Sequence, residues 1–173
     1  IRLADPLTIV LGGRLTNFKI KDRDVVPEVT PWIDSSAKSS GRFTPYAGVV
    51  LDVTDQLTLY ASYTDTFVPQ TAQDVNNRTL APRVGWQMET GVKGSFFNDA
   101  LNASVALFRI HDSNRAIVDE VNVGCGGTID GTCSRAAGKV RSQGVEVDVG
   151  GSPLPGWDIT LVYTYNQQKY LSD

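Results

Sequence analysis

Apolar and polar side chains alternate with a period of two along most of this chain. In the clearest run, Leu57, Leu59 and Ala61 point one way, whereas Thr58 and Ser62 point the other way. Successive side chains of a β-strand face opposite sides of the sheet, so this period predicts a strand with one apolar and one polar face. Helical periodicity is nearly absent, which predicts an all-β fold.

Six further runs show the same alternation, and they include residues 7–16, 46–53, 84–95, 101–107, 145–150 and 158–166. Together with the end of another strand at residues 1–3, they predict about seven to eight antiparallel strands. Each long strand is expected to have about 11–15 residues, more than the five or six of an ordinary soluble strand.

The predicted connections alternate between short and long. Short turns rich in Gly, Pro, Asn and Asp are predicted near residues 4–6, 55–56, 98–100 and 153–156. Long loops are predicted near 22–41, 68–82 and 117–138. This alternation of short and long connections is typical of an up-and-down transmembrane β-barrel, with short periplasmic turns and long extracellular loops. Charges on the polar faces, such as Glu89 and Lys93, would then face the lumen.

The composition excludes several functional classes. A formal net charge of -3 argues against a nucleic-acid-binding surface. No run of 18 apolar residues is present, which excludes a transmembrane helix but not a barrel. The single histidine, His111, has no evident nucleophile or acid partner, so we expect no enzymatic activity, no catalytic residues, no metal site and no cofactor.

Two cysteines, Cys125 and Cys133, lie in a glycine-rich segment. Their spacing does not match the common zinc-site patterns. A disulfide formed in an oxidising compartment is the preferred interpretation, and two free thiols in a reducing cytosol is the alternative.

Several segments of the chain resemble the barrel of TonB-dependent siderophore receptors, particularly the branch of coprogen and pyoverdine receptors. The likeness extends over about residues 42–170, and its strength lies in the order and spacing of the segments. They include residues 44–53 (TPYAGVVLDV), 57–67 (LTLYASYTDTF), 89–94 (ETGVKG), 101–110 (LNASVALFRI), 135–146 (RAAGKVRSQGVE) and 154–157 (LPGW).

This resemblance implies a 22-stranded barrel in the outer membrane of a Gram-negative bacterium, plugged by an N-terminal domain. A ferric siderophore would be the transported ligand, and the TonB-ExbB-ExbD complex would supply energy through an N-terminal TonB box. The chain shows no plug, TonB box or final strand. We therefore expect residues 1–173 to be a partial barrel domain, cropped at both ends.

Arginine donates to oxygen ligands in a fixed fork, and aromatic rings offer flat amphipathic surfaces. The predicted contacts with the siderophore are residues of these and related types near the long loops. They are Trp32, Phe67, Gln70, Arg78, Arg115, Lys139 and Arg141.

Three alternatives remain open at this point. The first is a small eight-stranded membrane barrel with a structural or adhesion role. The second is a TonB-dependent receptor for another cargo, such as cobalamin, haem or a sugar. The third is a soluble lipocalin-like barrel, which the long strands and loops disfavour. The identity of the siderophore is open as well.

Overall fold

A computed structural model describes residues 2–22, 32–123, 125 and 132–171 of the chain. Its eight β-strands form one antiparallel sheet in which each strand pairs with its neighbours in sequence order. They are β1 (Arg2–Ala4), β2 (Leu7–Asp22), β3 (Ile33–Asp52), β4 (Leu57–Val68), β5 (Arg83–Phe96), β6 (Leu101–Val123), β7 (Thr132–Leu154) and β8 (Trp157–Leu171). The predicted all-β class and the up-and-down order are confirmed.

All the short turns lie at one end of the sheet, which we call the turn end. The turn between β5 and β6 places Phe97, Asn98 and Asp99 at φ of 56°, 53° and 68°. Asn and Asp tolerate this left-handed region better than most residues, which explains why the predicted turn forms there. The opposite end, which we call the loop end, carries the connection of residues 69–82 and the segment that contains Cys125.

Two predicted loops were too long. β3 already begins at Ile33, β6 continues to Val123, and β7 begins at Thr132. These strand ends are held by pairs such as Lys19 opposite Lys38, beyond an irregularity in the ladder. Segments such as residues 34–40 (DSSAKSS) carry no alternation of apolar residues, so their pairing left no signal in the sequence.

The strand register aligns the apolar residues into continuous rows. Leu59 lies opposite Val92, Val92 lies opposite Val105, and Val105 lies opposite Val147. We call this side of the sheet the apolar face. Its two central rows are Leu51, Leu59, Val92, Val105, Val147 and Tyr163, and Val49, Ala61, Thr90, Leu107, Val145 and Tyr165.

The opposite side, which we call the polar face, carries hydrogen-bonded charged groups. The Tyr60 hydroxyl donates to Glu89 Oε1 at 2.7 Å, and Lys93 Nζ lies 5.0 Å from the centroid of the Tyr60 ring. Thr58 Oγ1 donates to Asp52 Oδ1 at 2.8 Å. The two-faced strands predicted from the alternation are therefore present.

The apolar face is not covered by any described part of the chain. Leu107, Met88 and Tyr165 have 55%, 51% and 56% of their surface exposed. Soluble monomers rarely expose apolar patches this extensive, whereas a membrane barrel covers such a face with lipid. Within the described residues β1 and β8 do not pair, so the sheet is open. No helix in the described part of the chain has the length and apolar character needed to cross a membrane.

Candidate functional site

The connection between β4 and β5 folds into a small hairpin at the loop end. Gln73 pairs with Thr79, and Leu80 N donates to the Ala72 carbonyl at 2.9 Å. Asp74 Oδ1 accepts hydrogen bonds from the backbone amides of Arg78 and Asn76, at 2.9 and 2.8 Å. These amides, that of Arg78 first, hold the pKa of Asp74 below its ordinary value.

A disulfide lies directly against this hairpin. Cys125 and Cys133 are joined, with their Cα atoms 5.1 Å apart, and both residues are buried. The Cys125 sulfur lies 3.1 Å from the Asp74 carbonyl oxygen, and Ser134 N donates to the Gln73 carbonyl at 2.8 Å. The hairpin therefore packs against Cys125 and the first residues of β7.

A bulge in β6 joins the hairpin to the sheet. Asn114 has φ of 62° at the register shift between Asp112 and Arg115. Its carbonyl accepts a hydrogen bond from Gln70 Nε2 at 2.9 Å, and its own Nδ2 donates to the Pro82 carbonyl at 3.2 Å. The predicted contact residue Gln70 is thereby fixed beside the bulge that precedes Arg115.

Two arginines share one carboxylate at the loop end of β5 and β6. Arg83 forms an ion pair with Asp112, and Arg115 Nε lies 3.7 Å from Asp112 Oδ2. The side chains of Arg83 and Arg115 keep 36% and 34% of their surface exposed, against 18% for Asp112. The trio carries a net positive charge with guanidinium edges open to solvent, which suits an oxygen-rich anionic ligand.

The sequence alone did not identify Arg83 or Asp112. They are 29 residues apart, and only the register that places Gly85 opposite Asp112 brings them together. A prediction of the strand pairing, based on the aligned apolar rows, would have placed both at the same height as Arg115.

The other predicted contact residues do not form one cluster. Phe67 packs against Phe18 with ring centroids 5.9 Å apart, and Arg42 Cζ lies 5.7 Å from the Phe67 ring centroid. Trp32 precedes β3 and is 61% exposed, and Arg78 is exposed in the hairpin.

Two more predicted contact residues, Lys139 and Arg141, lie an even number of residues before Val145 on β7. Side chains an even number of residues apart on a strand share one face, so both lie on the apolar face. The sheet therefore separates them from Asp112 and Glu89, which belong to the polar face.

No cluster of His, Cys, Asp or Glu suited to holding a metal ion occurs among the described residues. The arrangement at the loop end offers hydrogen-bond donors and positive charge. It is therefore a candidate binding surface rather than a coordination site.

Comparison with known proteins identifies the class to which this sheet belongs. The family model described as "TonB dependent receptor-like, beta-barrel" matches residues 1–173. The chain therefore belongs to the family of TonB-dependent receptor β-barrels, and it is part of an outer-membrane β-barrel. The membership predicted from the resemblance is confirmed.

Similar proteins within this family are pyoverdine receptors. The chain is 42% identical over 178 residues to the ferric-pyoverdine M114 receptor PbuA of Pseudomonas sp. (strain M114), covering 100% of this chain and 21% of that receptor. The solved pyoverdine receptor FpvA of Pseudomonas aeruginosa PAO1, bound to pyoverdine, is 34% identical with a TM-score of 0.79, covering 98% of this chain and 24% of that one.

The alcaligin outer-membrane receptor FauA of Bordetella pertussis is also similar. It is 32% identical with a TM-score of 0.78, and the match covers 98% of this chain and 28% of FauA. The chain spans about a fifth of the length of the curated relatives that it matches.

Proposed function

We propose that this chain forms part of the wall and rim of a receptor that binds a ferric siderophore of the pyoverdine class and imports it. The observation that carries the proposal is the 42% identity, over the whole chain, to a ferric-pyoverdine receptor. The exposed apolar face and the charged polar face are consistent with a wall between lipid and a water-filled or plugged lumen.

The loop end supplies groups suited to such a ligand. Arg83 and Arg115 share the single carboxylate of Asp112, so part of each guanidinium is left to bind oxygen atoms of the siderophore. Gln70 is held next to them by its bond to Asn114. The disulfide ties Cys125 to β7 beside the hairpin, and this link lowers the entropic cost of ordering the surface around a ligand.

Further contacts are proposed for Trp32 and Arg78, which lie near the loop end and offer aromatic surface or positive charge. Phe67, Lys139 and Arg141 are less suited to this role, because they lie on the apolar face and the sheet separates them from the polar face.

Transport is proposed to require the TonB-ExbB-ExbD complex acting on a part of the receptor beyond this chain. The ferric ion is cargo, and the chain needs no cofactor of its own. We assign it no catalytic step, because the described residues of the polar face and of the loop end hold no arrangement suited to one.

Binding can be tested on the full-length receptor in detergent by quenching of tryptophan fluorescence. Ferric pyoverdine, ferric alcaligin and metal-loaded pseudopaline are titrated separately. We expect saturable quenching by ferric pyoverdine. Changing Arg115 to Ala should weaken binding about 10- to 100-fold, the effect of losing one hydrogen bond to a charged group.

The matched control is Lys93→Ala, which removes a positive charge from the same face close to the turn end. Its affinity should stay within about twofold of the wild type, since a ligand at the loop end does not reach it. Saturable binding of another chelate but not of ferric pyoverdine would replace the proposed ligand class. No response to any chelate by a folded receptor would overturn the siderophore assignment.

A further inference from the structure

The side chain of Arg115 does not point where a regular strand would direct it. Asp112 and Arg115 are three residues apart on β6, and side chains an odd number of residues apart on a regular strand face opposite sides of the sheet. Arg115 Nε nevertheless lies 3.7 Å from Asp112 Oδ2, so the two side chains share one face. The backbone between them therefore departs from regular strand geometry.

The strand register locates this departure. Asp112 lies opposite Val140 and Arg115 lies opposite Gly138, so three steps along β6 match two steps along β7. One extra residue in a strand is a β-bulge, and it reverses the face on which the next side chain lies. Gly138 lies an odd number of residues before Val145 of the apolar face, so Gly138 and the Arg115 opposite it belong to the polar face.

Asn114 provides the backbone conformation of the bulge. Its φ of 62° lies in the left-handed region, which Asn adopts more readily than most residues and β-branched residues almost never adopt. Its carbonyl accepts a hydrogen bond from Gln70 Nε2 at 2.9 Å, and its Nδ2 donates to the Pro82 carbonyl at 3.2 Å. Gln70 Nε2 also donates to the Ala81 carbonyl, so both N–H groups of this amide are used within the chain. The two ends of the β4–β5 connection therefore hold the bulge in place.

The opposite strand leaves room for Arg115. A Cβ added at Gly138 would lie 2.9 Å from Arg115 Cβ and 3.2 Å from the Arg115 carbonyl oxygen, and the first distance is shorter than an ordinary contact of a Cβ atom. A larger residue at this position would therefore displace Arg115 from Asp112. Gly150, on the same face of β7, has no such constraint, because a Cβ there would meet its nearest neighbour at 3.9 Å.

We propose that the bulge at Asn114 is the positioning element of the binding surface, which turns Arg115 from the apolar face onto the polar face beside Arg83 and Asp112. Without the bulge, Arg83 and Asp112 would form a neutral pair, and the surface would lose the net positive charge that attracts an anionic ligand. Asn114 and Gly138 act through Arg115 and do not touch the ligand. The inference rests on the proposed function for the ligand class, whereas the direction of Arg115 depends on no ligand.

The first test therefore uses no ligand. The full-length receptor in detergent carries Arg83→Cys with Arg115→Cys, and a short, rigid bismaleimide joins two cysteines only if they lie on the same face of the sheet. We expect this pair to cross-link, as measured by mass spectrometry of proteolytic peptides, with the receptor that lacks the added cysteines as the blank. Arg83→Cys with Ser113→Cys is the matched control and should not cross-link, because Ser113 lies opposite Val84 on the apolar face.

Changes at position 114 then test the cause of this geometry. Asn114→Val should abolish the cross-link between positions 83 and 115, because valine does not adopt a φ near 62°. Asn114→Gly should preserve the cross-link, because glycine adopts this conformation readily. An unchanged yield in the Asn114→Val receptor would overturn the proposal.

The second test measures binding of ferric pyoverdine by quenching of tryptophan fluorescence. Asn114→Val should weaken binding about 10- to 100-fold, as Arg115→Ala does, and the two changes together should weaken it no more than Arg115→Ala alone, within about twofold. Gly138→Ala should likewise weaken binding only when Arg115 is present, and its matched control, Gly150→Ala, should bind within about twofold of the wild type.

The outcomes separate this inference from the ligand assignment. Losses that add when Asn114→Val and Arg115→Ala are combined would show that Asn114 acts on the fold rather than through Arg115, and would overturn the positioning role while leaving the ligand class in place. A receptor that cross-links as expected but does not bind ferric pyoverdine would support the positioning of Arg115 and overturn the proposed ligand class.

Discussion

Replacing Leu107 by arginine places a charge in the middle of the apolar face, where Leu107 lies between Thr90 and Val145. More than half of the Leu107 side chain is exposed, so in a barrel it contacts lipid rather than protein. An arginine near the midplane of a bilayer costs about 2–4 kcal/mol. We expect Leu107→Arg to lower the free energy of unfolding of the full-length receptor by about that amount.

Ser104→Arg is the matched control, because it adds the same side chain to the same strand on the other face. Ser104 lies between Lys93 on β5 and Asp148 on β7, and its Oγ is 3.4 Å from Asp148 Oδ2. An arginine there, in an aqueous lumen, gains an anionic neighbour that offsets the repulsion from Lys93. An exposed ion pair changes stability by at most about 1 kcal/mol, so this variant should stay close to the wild type.

The assay is guanidinium unfolding of the receptor in lipid vesicles, followed by tryptophan fluorescence. A loss for Ser104→Arg equal to or larger than that for Leu107→Arg would show that the two faces are assigned the wrong way round. A barrel with water on both sides of this wall would tolerate both changes equally.

Three smaller predictions follow from the loop end and the sheet. Replacing both cysteines of the Cys125–Cys133 disulfide by Ser should cost about 2.5 kcal/mol in the chain-entropy account for a separation of 8 residues, and limited proteolysis should then cut the adjoining loop faster. The pKa of Asp74 is lowered in the folded state, so its stabilisation of the hairpin is present above the ordinary aspartate pKa and is lost as the pH falls through the lowered value. The protection of the hairpin amides against hydrogen exchange, taken relative to the intrinsic exchange rate at each pH, should therefore fall in acid for the wild type but not for Asp74→Asn. A Cβ added at Gly144 would overlap a backbone carbonyl of β8, whereas one at Gly150 would have an ordinary contact at 3.9 Å. Gly144→Ala should therefore lower the free energy of unfolding by about 1–3 kcal/mol, measured by chemical unfolding, and Gly150→Ala should lower it much less.

The central part of the fold was predictable because lipid and lumen impose opposite chemistry on alternate residues. Leu57, Leu59 and Ala61 show this on β4, and the turns at Asn98 and Asp99 carry residues suited to left-handed backbone. Beyond the membrane this constraint disappears. The first residues of β3 have no apolar period, and the last residues of β6 pair with β7 across a register shift, so both segments were predicted as loops.

The candidate site was less predictable, because it depends on register rather than on local pattern. Arg115 was identified by its residue type, but the partner Asp112 and the second arginine, Arg83, required the alignment of β5 with β6. Arg141 shows the converse. Its residue type suggested contact with the cargo. Its side chain, however, lies on the same face of β7 as that of Val145, which is the apolar face that lipid covers.

The most direct test of the proposed function is uptake of radiolabelled iron from ferric pyoverdine by cells that lack their own pyoverdine receptor and express the full-length gene. We predict accumulation that depends on the gene, that stops when TonB is absent, and that falls in the Arg115→Ala receptor at low ligand concentration. Normal levels of a folded receptor at the cell surface, with no more iron taken up than by cells without the gene, would contradict the proposal.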